Sequence, residues 1–521
     1  MDIFGIIYKA LNKLNNLVTG LRKDVDNKQA KLTYADGNEV TNYKDLKLSM
    51  LKGLPFRDTV LIVNDTKEDG HYVTVTTETS SREEIIVHDQ DYTIYIKDPV
   101  KYFYSDYAGG TLQDYVSACL SMKTPDSSAS QFSNCEKLTY CGYIDTMDSS
   151  AVSLGFYFSN CKKLNYIPDY FVQVPITSMD HTFYGCESLT RLPKLDTSLS
   201  ENFSGCCAGC GMYEMPNWDF SKGENFYYFC KGANNLISVD LNLPEATDIQ
   251  YGFSDCGKLT TCTINAPKAT TILEMLRGCE SLNYCNIRAE NTQTAAYLLM
   301  QTSSLLEAEL SFEKVSSCYS ILSKSGVKTV SINAGNKVTM THAFSYCHNL
   351  ETVVLSGSFS TLEYAFYECS SLKELPAIQV SDDEYKPTHL DSAFNHTALT
   401  KFPMLNGYVD FGNAKVQNDF VQEIPRYNTS MSSLDSHLIF ETPQLTTVGG
   451  FIKMSSRIVN FYMCPLLTRN SILNIFNDLN SIPSGSLERR IIFHEEAYNR
   501  LSEEDIAIAV NKRWTVEKSV N

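Results

Sequence analysis

The chain has 521 residues, of which 43% are hydrophobic and 20% charged. That is enough apolar material for a folded core and excludes a disordered chain. No apolar run reaches the ~18 residues of a membrane span, and no membrane insertion is expected. The net charge of −17 is split between +3 on residues 1–31 and −20 on the rest. A body that acidic is repelled by phosphate backbones, so nucleic acid is not an expected partner.

Residues 1–31 open the chain without a basic region ahead of an apolar core, so no signal peptide is expected. Ile3, Ile7, Ala10, Leu14, Leu17 and Leu21 recur at steps of four and three. That is an a/d heptad seam about three heptads long. So short a helix is marginal alone. It is expected to pair with copies of itself as a homo-oligomer, a trimer being one form, or to dock on another protein. Packing on its own chain is the alternative.

Residues 32–105 read as a small β adaptor module or an N-terminal cap. The runs Thr59–Val63, Tyr72–Thr76, Ile85–Val87 and Tyr92–Ile96 are rich in β-branched and aromatic residues. Asp69-Gly70 between the first two is a hairpin signal.

From 106 to 470 the chain repeats. Seventeen cysteines are present, and their spacing explains most of them. Phe-x-x-Cys-x-x-Leu occurs at Phe132-Cys135-Leu138, Phe158-Cys161-Leu164, Phe183-Cys186-Leu189, Phe253-Cys256-Leu259, Phe344-Cys347-Leu350, Phe366-Cys369-Leu372 and Phe461-Cys464-Leu467. Leu276-Cys279-Leu282 is a variant. After the final Leu comes apolar-x-x-apolar-x-apolar, as in Leu236-Val239-Leu241 and Leu259-Cys262-Ile264. Counted from that first apolar residue, fifteen units start between 138 and 467, at steps of 22 to 27. Each unit offers a short strand that cannot bury its apolar face alone. Stacking the units makes a parallel sheet and a shared core. The Phe and Cys of the preceding turn are expected to point inward.

These phrases resemble the leucine-rich repeats of BspA-type bacterial surface proteins, found in gut and oral bacteria and their phages. The resemblance spans about 130–470. It implies a mainly β fold with short helices: a right-handed leucine-rich-repeat solenoid of about 15 units, preceded by the N-terminal helix and the β module. It implies binding and display rather than catalysis, and no cofactor. Thr302 and Thr397 replace the cysteine, and the unit from Phe226 to Leu236 reads as carrying an insertion.

Residues 471–521 leave the repeat and form a capping segment. Ser471–Leu479 reads as a helix and Ile491–Phe493 as a strand. Ser502 is the predicted N-cap of a helix running to about Lys512, and Trp514–Val516 reads as a last strand.

Few residues point to chemistry. Cys207 and Cys210 form a C-x-x-C, but zinc needs a second ligand pair. Cys206 falls three residues after Phe203, where the repeat expects its cysteine, and packing is the expected role. The nine histidines form no H-E-x-x-H, and turn or surface positions are expected for them. Asp382-Asp383-Glu384 reads as a solvated loop, with calcium as the other reading. No catalytic, metal or cofactor-binding residue is assigned, and the protein is not expected to be an enzyme. A glycan depolymerase would need a carboxylate pair in a groove. The 31 tyrosines, with clusters at Tyr102–Tyr104 and Phe226–Phe229, are the surface hint. Tyrosine suits carbohydrate or protein recognition and also fills cores. The function expected is a structural virion subunit, fibre or decoration, assembled in the host cytoplasm and contacting other virion proteins and a host-surface glycan or protein. A bacterial cell-surface adhesin is the alternative.

Overall fold

The computed structural model describes residues 132–139, 141, 151–169, 171–429, 436–454 and 456–519 with their side chains. It also describes the backbone of the strands Thr59–Asn64, His71–Thr77, Ser81–Ile86, Asp91–Ile96, Val100–Ser105, Val116–Lys123 and Tyr140–Asp145. The heptad residues Ile3, Ile7, Ala10, Leu14, Leu17 and Leu21 lie outside the described residues, as does Asp69-Gly70.

The chain divides into two units, one of residues 1–199 and 209–219, the other of residues 200–208 and 220–521. In the first, strands fall on all the predicted β runs. Thr59–Asn64 pairs antiparallel with Asp91–Ile96 and with Val116–Lys123. His71–Thr77 pairs antiparallel with Ser81–Ile86 and Val100–Ser105. The two strands flanking Asp69-Gly70 therefore belong to different sheets, and the hairpin read from that dipeptide is not formed. Their connection, 65–70, is longer than the two-residue turn that would set a hairpin register. Val116–Lys123 then pairs parallel with Tyr140–Asp145, matching Cys119 to Cys141. That is one repeat step, so the stacked strands begin one turn before the first Leu marker. Phe132, Phe158 and Phe183 lie face to face along the stack at 5.9 and 5.8 Å.

The second unit carries the clearest ladder. Ser238–Asn242, Thr261–Asn265, Tyr284–Arg288, Glu307–Phe312, Thr329–Ala334 and Thr352–Ser356 form one all-parallel sheet. Its register is the repeat itself: Val239, Cys262, Cys285, Ala308, Val330 and Val353 stand opposite one another. All six are buried, and their strand neighbours alternate outward. That is the period-2 pattern of a sheet with one wet face. A second parallel sheet runs from Val338–Thr339 to Phe451–Ile452.

The side-chain prediction holds through both units. Every one of the fifteen marker residues, Leu138 through Leu467, is fully buried, and so is each Phe and Cys of the seven full phrases. Burying a Leu or Phe stabilises a fold by ~1.5–3 kcal/mol. No single turn could offset its chain entropy without its neighbours.

The thiols do more than fill space. Cys161 donates to the carbonyl of Phe132 at 2.9 Å, Cys186 to Phe158 at 3.1 Å, Cys279 to Phe253 at 3.1 Å and Cys369 to Phe344 at 3.1 Å. Each partner lies one turn back, so the sulfur column is also a column of hydrogen bonds. Thr302 and Thr397, in the same slot, instead donate within their own turn, to Leu299 at 2.8 Å and Phe394 at 2.9 Å.

Two register readings change. The unit from Phe226 to Leu236 holds no insertion. Cys230 takes the Phe slot, its N–H reaching Gly252 O just as that of Phe253 reaches Met275 O, and Ala233 takes the Cys slot. Cys206 does not occupy the repeat's cysteine slot. That slot belongs to Cys210, which follows the left-handed Gly209 as Cys161 follows Asn160 and Cys186 follows Gly185; its thiol donates to Leu189 O at 3.3 Å. The turn is one residue short before Met212, so counting three from Phe203 lands in the wrong place.

The ladder also continues past 470. Ile458–Phe461, Arg489–Phe493 and Trp514–Lys518 stack in parallel, with helices α1 (Arg469–Asp478), α2 (Glu495–Tyr498) and α3 (Glu503–Val510) in the connections. The segment read as leaving the repeat thus adds two more turns to it, the first wider than the repeat and the second of ordinary length.

Candidate functional site

From Phe156 to His396, each turn has two left-handed positions, four residues apart. One column contains Asn134, Asn160, Gly185 and Gly209 in the first unit, then Gly232, Asp255, Gly278, Gln301, Lys324, Tyr346, Glu368 and His396 in the second. Up to Gly278 its members are residue types that tolerate positive φ. Gly209 stacks on Gly185, whose Cβ, if present, would stand 2.7 Å from Asn160 Oδ1.

The other column is different. It runs Phe156 and His181 in the first unit, then Gly205, Tyr228, Tyr251, Glu274, Tyr297, Ser320, His342, Tyr364 and Ser392 in the second. The aromatic members sit at φ of 50–56°. A bulky side chain there is a backbone outlier, costing roughly 1–2 kcal/mol. The neighbouring turns hold it in place. Tyr228 N–H donates to Gln250 O at 3.0 Å, Tyr251 N–H to Leu273 O at 2.9 Å and Tyr297 N–H to Tyr319 O at 2.9 Å. Just upstream, a polar side chain receives the N–H two residues on: Asn225 from Tyr227, Asp248 from Gln250, Ser317 from Tyr319 and Thr361 from Glu363. These Asx and Ser/Thr turns bend the chain into the left-handed corner.

The corner turns the rings outward. Within Phe226–Phe229, Phe226 and Phe229 are fully buried while Tyr227 and Tyr228 are half-exposed. That separates the two roles the cluster carries in sequence. Successive rings touch. Tyr228 and Tyr251 are 4.9 Å apart, Tyr297 and Tyr319 5.3 Å, and His342 and Tyr364 4.9 Å and nearly parallel. In the first unit Phe156 stacks on His181 at 4.7 Å, and His181 Nδ1 lies 2.7 Å from Asp180. A hydrogen bond with Tyr228, then burial, push the Tyr227 phenol up to about 12. Burial lowers the His342 pKa, against the pull of Glu363. Both shifts favour the neutral form of these two rings.

The other sequence candidates are accounted for separately. Cys207 Sγ lies 3.7 Å from Cys206 Sγ, a different partner from that of Cys210. Burial pushes Cys256 and Cys318 up to about 12, so these thiols are poor nucleophiles. Among the described residues no group of three His, Cys, Asp or Glu is arranged around a common point for a metal. Asp383 accepts from Tyr385 N–H, and Glu384 pairs with Lys453 at 2.7 Å, which ties down the acidic loop. The side chains of Tyr102–Tyr104 are outside the described residues. Sequence reasoning noticed the tyrosines but not their column, because the ladder is set by backbone handedness rather than by residue type. The available signal was position: four residues ahead of the second left-handed corner in each turn from Phe156 to His396.

The fold is a leucine-rich-repeat-like β-solenoid. Within it, residues 223–319 and 316–419 match the model of the BspA type leucine rich repeat region. Among solved structures the chain is similar to a leucine-rich repeat protein from Bacteroides ovatus, at 17% identity over 78% of this chain and 95% of that one, with a TM-score of 0.34. It is also similar to a leucine rich cell surface protein from Faecalibacterium prausnitzii, at 13% identity over 77% and 83%, with a TM-score of 0.21. No curated protein matches.

Proposed function

We propose that this chain is a display scaffold whose aromatic edge contacts a ligand on a host cell surface. In this reading it serves as a structural subunit of a virion. The observation that carries the reading is the left-handed aromatic column. Backbone strain at successive turns is held by surrounding hydrogen bonds, and such strain gathers at functional positions. Half-exposed tyrosines offer apolar faces and polar tips at low entropy cost, which suits recognition. The buried thiols support folding in a reducing cytoplasm, where virions assemble, since none of the described cysteines is paired as a disulfide. The seam Ile3, Ile7, Ala10, Leu14, Leu17 and Leu21 supplies the contact that joins copies or anchors them to the particle.

The test uses the full chain and cells of the bacterial strain that carries the gene or hosts the phage that does. Tyr228, Tyr251, Tyr297 and Tyr364 are replaced together by glycine, which suits positive φ. Cell binding is expected to fall at least tenfold while the fold, read by circular dichroism, persists. Unchanged binding would refute the edge. The mass of the chain in solution, with and without Leu14→Asp, reads the seam; an oligomer unaffected by that change would remove it from the assembly role.

A further inference from the structure

The second unit contains two groups of three tyrosines set at steep angles, and one of them already holds a cation. Tyr227, Tyr228 and Tyr251 meet at 47°, 46° and 87°. The Lys231 ammonium stands 4.8 Å above the Tyr228 ring and 5.4 Å above that of Tyr251. Asp255 lies 3.8 Å from the same nitrogen. Ring faces plus one carboxylate therefore form a lysine site, filled by the chain's own lysine.

The other group is built from the same parts. Tyr364 and Tyr367 are 5.7 Å apart at 60°, and Tyr346 and Tyr367 5.5 Å apart at 72°. Glu368 lies close enough to act on the Tyr367 phenol, and Glu363 on His342, which stacks against Tyr364. The position equivalent to Lys231, three residues beyond the left-handed corner, is Tyr367 itself. Among the described residues no lysine or arginine stands over these three rings. Tyr346 is 43% exposed.

We infer that the cage of Tyr346, Tyr364 and Tyr367, with Glu368, binds a lysine side chain presented by a basic polypeptide. The inference rests on the display reading and names its partner. An ammonium is attracted to the negative faces of the rings, and the carboxylate adds charge complementarity. A body of net −20 outside residues 1–31 draws such a partner in from a distance. A phosphate-bearing or acidic partner is repelled by the same field.

The full chain is titrated calorimetrically at physiological salt with an oligolysine peptide and, in a separate arm, with tetramethylammonium. Tyr364→Leu with Tyr367→Leu keeps apolar bulk but removes two ring faces. Oligolysine binding should weaken about tenfold. Glu368→Gln should weaken it about threefold. Tyr385→Leu, at a 90% exposed tyrosine outside the cage, should change it less than twofold. Denaturation midpoints of all variants check the fold. Oligolysine binding that disappears with salt and ignores the tyrosines marks a diffuse acidic surface and overturns the inference. Binding of tetramethylammonium without oligolysine overturns the polypeptide as occupant. If neither probe binds but the Leu pair still loses host cells, the display reading survives and the cation does not. If cell binding ignores the whole tyrosine column, the display reading itself fails.

Discussion

At the scale of one residue, the left-handed tyrosines set two effects against each other. Ring contacts between aromatic neighbours contribute ~0.5–1.5 kcal/mol, about what the backbone loses by placing a non-glycine residue at positive φ. Tyr251, at φ 56° and 4.9 Å from Tyr228, tests the balance. Tyr251→Ala keeps the strain and loses the ring. Tyr251→Gly loses the ring and the strain together. The glycine variant should therefore be the more stable of the two by about 1 kcal/mol, read from denaturant midpoints. At an ordinary right-handed surface position the order is reversed. An alanine variant equal to or above the glycine variant would mean that the corner is not left-handed in solution.

At the scale of the element, the last helix shows how local chemistry sets a boundary. Ser502 accepts from the Asp505 N–H, and the Asp505 carboxylate accepts from the Ser502 N–H, closing a capping box. Arg469, at the start of α1, adds a two-pronged contact to the same carboxylate at 2.8 and 2.6 Å. Arg469 first, then the Ser502 backbone, hold Asp505 down at about 2, below its ordinary 3.8. A carboxylate whose pKa is lowered by folding stabilises above its unfolded value. It loses that contribution as pH falls through the folded one. The stability difference between the native chain and Asp505→Asn should thus be full at pH 5 and shrink between about 4 and about 2. A constant difference across that window would detach the pair from the fold's acid response. This helix was legible in sequence because Ser502 and the acidic first turn are local signals. So were the Phe, Cys and Leu columns, because a core position recurs at a fixed step. Cys210's slot was not, since a one-residue shortening before Met212 shifts the count without changing composition. Nor was the pairing of Thr59–Asn64, since Asp69-Gly70 marks a turn but not which strands it joins. The aromatic edge was half-legible: Tyr227 and Tyr228 stood out, but tyrosine also fills cores, so residue type alone did not show that they face outward while Phe226 and Phe229 face inward.

At the scale of the whole molecule, a stack of turns meets its neighbours in sequence and must end somewhere. A column of core hydrogen bonds joins residues one turn apart, as Cys279 to Phe253 and Cys369 to Phe344 show. Stability in such an array is a sum of turns and of interfaces between adjacent turns. Among the described residues no strand pairs with the outer edge of Trp514–Lys518. Open edges invite pairing with another chain unless charge discourages it. Here Glu517 faces Arg490 at 3.5 Å and Lys518 pairs with Glu495 at 2.8 Å. Cutting the chain after residue 488 removes Arg489–Phe493, both later helices and that charged edge. It uncovers Phe461, which stacks on Phe493 at 5.6 Å, and Phe476, which meets the same ring at 5.8 Å. Two large apolar side chains and a strand edge, Ile458–Phe461, then face water together. The shortened chain should keep the circular dichroism of its remaining strands but associate with rising concentration more than the full chain does. Light scattering over a dilution series measures this. A shortened chain with the same concentration dependence as the full one would mean that residues 489–518 are not what stops the ladder from growing.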